Sequence, residues 1–307
     1  MPEPPLFTAA IICFNRRELV RDAIESVLRQ EYADYELVLV DDASTDGSAV
    51  VLREYSDRAT VVVREQNGGE MAARNTAMSV ARGQYVCFLD DDDLWFPWTL
   101  TTFARAIERN GTPSMVGGAM LSFRADSELR NIEQREYVES LSSCYFSSMH
   151  YVGVASSAIR REEIERAGGF TDLRLNGLDT DLMLRIGDRP GFVKIESPLT
   201  FAYRQHANIT GEVVMSYGGA MHVVQMETEG RYPGGLAFRA DRLRHITRRT
   251  RNATFQFLRK KETAKVLEIY RRTFWWNVRM RRWGYLAMIP LMALVPPLRQ
   301  LYKFTRD

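Results

Sequence analysis

At 307 residues, with 45% hydrophobic and 26% charged side chains, the chain has a globular composition and room for one large domain with an appendage or for two small domains. Its net charge of +2 conceals a division: residues up to 240 carry 24 Lys/Arg against 35 Asp/Glu, and those beyond carry 17 against 4, so the two parts are expected to face different partners. Three widely spaced cysteines, Cys13, Cys87 and Cys144, exclude a CxxC zinc pair or a disulfide framework and read as reduced core residues of a cytosolic protein.

In chain order, the opening Met1-Pro2-Glu3-Pro4-Pro5-Leu6-Phe7 lacks the basic start and long apolar core of a signal peptide. No run reaches the ~18 apolar residues of a membrane span, so the protein is expected to stay where it is made. Residues 7 to 13 form a continuous apolar run, followed by Asn15 as a helix N-cap and by Leu19, Val20, Ala23, Ile24, Val27 and Leu28 at helical spacing. The strand–helix pattern repeats with strands at 36–41, 60–64 and 85–89 and helices near 47–56, 70–81 and 98–110. Strands apolar on both faces and separated by helices predict an α/β fold with a mostly parallel, Rossmann-like sheet flanked by helices. Residues 112 to 215 alternate short strands (114–120, 155–160, 192–195, 199–203) with a helix near 179–187 and read as the mixed second half of the same domain. Beyond 216 the chain reads as helices rich in Arg and aromatic residues, and charge and periodicity put a boundary near 230 to 240.

Acidic residues stand at predicted strand ends: Asp41-Asp42-Ala43-Ser44-Thr45-Asp46-Gly47, then Leu89-Asp90-Asp91-Asp92-Asp93-Leu94-Trp95, while Asp179-Thr180-Asp181 leads into a helix. Adjacent carboxylates raise each other's pKa unless a cation or hydrogen bonds offset the repulsion, and oxygen-only ligands at a strand end suit Mg²⁺ or Mn²⁺ bridging to substrate phosphates. An exposed acidic turn is the alternative. Neither a GxGxxG after the first strand nor a GxxxxGK[ST] is present, so a dinucleotide fingerprint and a P-loop are excluded as phosphate sites. Asp46, among Ser44, Thr45 and Gly47, reads as a turn cap, and Asp93 as the N-cap of the next helix.

The ordered set Ile12-Cys13-Phe14-Asn15, Val40-Asp41-Asp42, Asn67-Gly68-Gly69 with Ala73-Arg74-Asn75, the Gly83 to Trp95 segment and Asp179-Thr180-Asp181 resembles the family 2 glycosyltransferases, inverting enzymes of the GT-A fold that use nucleotide sugars. The resemblance covers residues 7 to about 212 and implies a GT-A catalytic domain over 1–235, with 236–307 a basic, aromatic helical region. By that resemblance Asp42 accepts a hydrogen bond from the base, Phe14 and Asn15 line the nucleoside pocket and Arg74 helps close it. Asp90 and Asp91 face ribose and diphosphate, Asp92 binds the Mn²⁺ or Mg²⁺ cofactor, and His206 stands near that metal. Asp179 is the implied base that takes the acceptor hydroxyl proton. Leu178 occupies the place of the family's preceding acid, so Asp181 stays open as a competitor.

The family's processive synthases carry a Q-x-x-R-W motif and paired spans, both missing here, so the resemblance implies transfer of one sugar from a donor, expected to be UDP-linked. The acceptor is expected to be a cell-surface glycan or a lipid-linked glycan. A catalytically inactive nucleotide-binding scaffold and a sugar nucleotidyltransferase are the alternatives. In the basic region Arg271-Arg272, Arg279, Arg281 and Arg282 interleave with Phe274-Trp275-Trp276, Trp283 and Tyr285, which fits peripheral contact with the cytoplasmic face of a membrane, a packed appendage or a homodimer. A nucleic-acid partner is not expected, since nothing resembles a nucleic-acid module.

Overall fold

A computed structural model describes residues 3–205 and 216–294. The strand–helix alternation read from the sequence is present: β1 (Phe7–Cys13), α1 (Val20–Leu28), β2 (Tyr35–Asp41), α2 (Ser48–Arg53), β3 (Thr60–Val63), α3 (Glu70–Val80), β4 (Tyr85–Asp90). There follow β5 (Leu94–Trp95), α4 (Thr99–Arg109), β6 (Met115–Phe123), β7 (Val138–Cys144), β8 (Ser157–Arg160), α5 (Arg161–Arg166), α6 (Asp179–Arg185) and β9 (Pro190–Arg204). The helices α7 (Tyr217–Thr228), α8 (Arg239–Arg259), α9 (Thr263–Arg279) and α10 (Trp283–Leu294) complete the described chain.

The sheet runs β3-β2-β1-β4-β8-β6-β9-β5, with β7 paired to the side of β9. Strands β3, β2, β1 and β4 are parallel, and β8 then enters antiparallel between β4 and β6. Register sets Ile12 between Val40 and Asp90 and Cys13 beside Asp41, so the carboxyl ends of β2 and β4 flank the end of β1. Strands about 4.8 Å apart therefore gather the acidic termini on one edge. The core beneath that edge is built by the predicted apolar faces: Val20, Ala23, Ile24 and Val27 of α1 and Leu100, Phe103, Ala106 and Ile107 of α4 pack with Ile11, Leu39 and Leu89.

Four expectations change. Asn15 does not cap α1: its backbone is left-handed (φ 53°) and the helix begins after Leu19, whose N–H already bonds to the Arg16 carbonyl. Asp93 does not cap α4, which starts after Trp98; the chain first pairs Leu94 and Trp95 with β9. The apolar runs at 192–195 and 199–203 belong to one strand, β9. Strand β7 is an addition, an edge strand whose Val138 and Leu141 face solvent and so lack an apolar signature.

The chain divides into two compact units, one of residues Met1–Arg174 with Arg185–Thr210, the other of Leu175–Leu184 with Gly211–Asp307. Charge and periodicity put the break near 230 to 240; by packing, α6 up to Leu184 and α7 go with the C-terminal helices. The reason is that the basic composition begins at α8, whereas shared burial begins earlier. Within this second unit the fully buried Asp181 carboxylate accepts a 2.8 Å hydrogen bond from the Tyr232 hydroxyl and lies 3.3 Å from His222 Nε2. The three cysteines are free and buried. Among the described residues no helix is long and apolar enough to cross a membrane.

Gly83 shows how tightly the site's strands are set. Its N–H donates to Thr8 Oγ1 at 2.9 Å, and a Cβ there would stand 2.3 Å from the Thr8 nitrogen and 2.5 Å from the Phe7 carbonyl carbon, both backbone atoms. Gly83→Ala should lower stability by about 1–3 kcal/mol in urea unfolding, the range of an overpacked core site.

Candidate functional site

The edge where β1, β2 and β4 end opens into a cleft of about 410 Å³, lined by Phe14, Asp42, Asp90, Asp91 and Asp92 together with Ile12, Arg16, Asn67, Gly69, Glu70 and Tyr203. Five residues expected at the site thus converge within the first unit. Phe14 is 44% exposed, an apolar ring presented to the cleft by the left-handed turn at Asn15. Asn15 and Arg74 are absent from the lining and act behind it. The Asn15 side-chain oxygen accepts the Thr45 N–H at 2.8 Å and its N–H donates to Ser44 Oγ at 2.9 Å, which ties the β1 end to the loop after β2. Asp46 is the expected turn cap, accepting from Ser48 N–H at 2.9 Å and Arg17 N–H at 3.0 Å.

Asp42 is buried and already engaged. Its carboxylate accepts the N–H groups of Gly68 at 3.0 Å and Gly69 at 2.8 Å and pairs with Arg64. These contacts fold residues 64–69 over the β2 end, and the Gly69 φ of 87° lets its amide point at the carboxylate. A carboxylate has about four lone-pair sites, so three donors leave room for one more. Arg74 is buried over the touching rings of Phe88 and Phe170, 5.5 and 5.7 Å from their centres, and bonds Asp90 at 3.0 Å and Glu70 at 2.7 Å. Its charge orients Asp90 from below.

Asp91 and Asp92 share Arg16, whose Nε lies 3.9 Å from each, and Asp91 also accepts the Phe14 N–H at 3.1 Å. That is too little for Asp91: burial first, then the Asp92 charge, push its carboxyl up to about 7. The Tyr203 phenol rises too, by burial and then by the charges of Asp93, Asp92 and Asp90. Asp93 is fully buried, accepts the Arg204 N–H at 2.8 Å, and is raised by burial so that it is neutral near pH 7. It fastens the acidic turn to β9, and Arg204 Nε donates to the Asp92 carbonyl at 3.1 Å.

Two adjacent hard oxygen donors on the cleft, Asp91 and Asp92, fit a small divalent cation that completes its shell with water and phosphate. Among the described residues no three acidic, Cys or His side chains come together as a metal-binding group. His206, expected near the metal, lies outside the described residues. Asp179 belongs to the second unit, where it is partly exposed at the start of α6 and takes a 3.3 Å ion pair from Arg249. Arg16, Glu70 and Tyr203 are not among the residues expected at the site from sequence, and Asn67 stands in the Asn67-Gly68-Gly69 motif without an assigned role. Arg16 adjoins Phe14 and Asn15 in sequence, but one Arg among 41 basic residues is no signal without the fold.

The profile described as Glycosyl transferase family 2 matches residues 8–167, just over half of the chain. The chain belongs to glycosyl transferase family 2. A putative teichuronic acid biosynthesis glycosyltransferase, TuaG of Bacillus subtilis, is 42% identical over 94 residues, 30% of this chain and 37% of TuaG. Matches to this and two further bacterial relatives span 37 to 65% of those proteins' lengths. Among solved structures, Staphylococcus aureus TarS 1–349 in complex with UDP superposes with a TM-score of 0.57 at 18% identity, covering 89% of this chain and 91% of that one. The mannosyltransferase PcManGT of Pyrobaculum calidifontis, solved with GDP-Man and Mn²⁺, gives 0.50 at 20% identity over 100% of this chain and 89% of that one. The fold of this family 2 chain is therefore GT-A, as the order of its motifs implied.

The Asp91 carboxyl binds its proton more tightly folded than unfolded, so the folded state gains stability as pH falls below about 7 and loses it as pH rises through that value. Asp91→Asn should therefore raise the melting temperature of the protein in EDTA at pH 8, with a smaller gain at pH 5, as read by thermal denaturation.

Proposed function

We propose that this chain is a metal-dependent inverting glycosyltransferase that moves a single sugar from a UDP-linked donor to a hydroxyl of a cell-surface glycan or its lipid-linked precursor. The observation that carries the reading is the cleft itself, in which an exposed Phe14 ring, the buried Asp42 carboxylate and the adjacent Asp91 and Asp92 carboxylates follow one another along a single sheet edge. An aromatic face suits a base, a carboxylate with a spare lone pair suits a base N–H, and a cation site suits a diphosphate. UDP in TarS, Mn²⁺ with GDP-Man in PcManGT and the teichuronic acid role in the name of TuaG support the donor, metal and acceptor classes.

In this reading Phe14 packs on the base and Asp42 accepts its N–H. Asp90, steered by Arg74, receives ribose hydroxyls, and Arg16 and Asp91 hold the diphosphate region. Asp92 would hold Mn²⁺ or Mg²⁺, with His206 as the second expected ligand. A bound divalent cation supplies charge stabilisation to the leaving diphosphate. Asp179 takes the acceptor hydroxyl proton as its oxygen attacks the anomeric carbon from the face opposite the diphosphate. Asp181 does not suit that role, because its carboxylate is buried and bound to Tyr232 and His222, whereas Asp179 retains exposure. Arg249 pairs with Asp179 at 3.3 Å.

A screen of nucleotide sugars for thermal stabilisation and hydrolysis with Mn²⁺ tests the reading, and no response to any UDP compound would defeat the donor assignment. Asp92→Ala should abolish Mn²⁺-dependent UDP binding in calorimetry, and unchanged affinity would remove Asp92 from the metal. Asp179→Asn should leave UDP affinity within about twofold while cutting turnover by about 100-fold or more. Donor binding without turnover in the unaltered chain would instead favour a nucleotide-binding scaffold, for which the buried Leu178 in place of an acid is the argument.

A further inference from the structure

Helices α9 and α10 form an antiparallel pair within the second unit: the Tyr270 hydroxyl donates to the Leu286 carbonyl at 2.9 Å, and the Tyr270 and Tyr285 rings lie 6.1 Å apart. The inner face of α10, with Tyr285, Leu286 and Ile289, is buried, and the Tyr285 hydroxyl lies 3.1 Å from Thr254 Oγ1 of α8. That packing would satisfy an ordinary amphipathic helix. Yet α10 is apolar on its outer face as well: Gly284, Ala287, Met288 and Leu291, at i, i+3, i+4 and i+7, are all exposed, Leu291 by 55%, with Leu294 at 70% further along.

The rim of this face is aromatic and cationic. Trp275 of α9 is 75% exposed and Trp283 at the start of α10 61% exposed. Arg271 and Arg279 flank Trp275 at four-residue spacing on α9, and Arg281 stands in the turn between the helices with φ 54°, all three exposed. Arg282, by contrast, is directed inward: it bonds Thr247 and burial lowers its pKa to about 10. From 263 to 294 the chain has six Lys/Arg and one acid, Glu268.

A second copy of the chain would bring these arginines against one another with almost no acidic residue in the two helices to pair them. A layer of lipid phosphates matches them. The twelve residues of α10 span about 18 Å, short of the ~30 Å hydrocarbon core, so the helix can lie in an interface and cannot cross it. Indole rings favour that depth, and each cation near an anionic leaflet adds to the attraction.

We propose that the outer face of α9 and α10 docks on an anionic lipid surface, with Trp275, Trp283, Met288 and Leu291 seated at headgroup level and Arg271, Arg279 and Arg281 on lipid phosphates. This rests on the second unit alone and is independent of the donor reading.

Flotation of the full chain with vesicles of phosphatidylcholine, and of phosphatidylcholine mixed with phosphatidylglycerol, tests the surface. Binding should be at least about tenfold tighter to the anionic vesicles, weaken with salt, and shift tryptophan emission to shorter wavelength. Arg279→Glu with Arg281→Glu should reduce that affinity by about tenfold or more, as should Trp283→Ala with Leu291→Ala, while circular dichroism of these surface variants stays unchanged. No binding to anionic vesicles, equal binding to phosphatidylcholine alone, or binding untouched by both double variants would overturn the proposal. So would a dimer in sedimentation that Trp283→Ala with Leu291→Ala dissolves, which would assign the face to a second copy.

Discussion

Repulsion among carboxylates crowded on one sheet edge is the constraint around which the first unit is organised. Parallel register brings Asp41 and Asp42 from β2 and the run from Asp90 to Asp93 from β4 to either side of the β1 terminus. Six like charges in that space are compatible with a folded state only if each is compensated by a different means. Asp41 and Asp42 take backbone N–H groups, from Ser44 and from Gly68 and Gly69, with Arg64 adding a charge to the second. Asp90 takes Arg74, and Asp93 gives up its charge through burial.

Those compensations also shape the site. Because Asp42 is satisfied by the loop over residues 64–69, it fixes that loop as one wall of the cleft, and Asn67, Gly69 and Glu70 reach the lining as a result. Arg74 is buried over the rings of Phe88 and Phe170, and its guanidinium pairs with Asp90 from there. Asp91 and Asp92 share Arg16, whose Nε lies 3.9 Å from each, and both face the cleft. Two adjacent carboxylates on one cleft are what a cation and a diphosphate could together engage.

Much of this was legible in the sequence. Apolar runs of six or seven residues, ending in an acid in β2 and β4, marked β1, β2 and β4, and helical spacing marked α1 and α4, because those elements bury nearly every apolar position they have. Weakly apolar elements were not legible. Strand β7 turns Val138 and Leu141 to solvent, and the two residues of β5 are a strand only because β9 pairs with them. Asp93 was misread for the same reason: an acid before an apolar segment has the pattern of a helix cap, and nothing local reveals that β9 returns to offer it the Arg204 N–H.

Order and spacing of the motifs by themselves determined the family, the fold and the edge at which the acids gather, since strand periodicity and parallel connection leave one place for strand-terminal residues to go. Only the tertiary structure decided which acids are shared out to protein donors and which face the cleft, because that depends on partners 16 to 111 positions distant, among them Arg74 for Asp90 and Arg204 for Asp93. It likewise gave different surroundings to Asp181, sealed beneath Tyr232 and His222, and to Asp179, the base that the resemblance implied with Asp181 as its competitor. In the basic region composition announced cations and aromatics, but burial alone told Arg282, turned inward, from Arg279 and Arg281, turned out. Local pattern records what a residue is suited to do; the desolvation it meets and the donors within reach are properties of the folded chain.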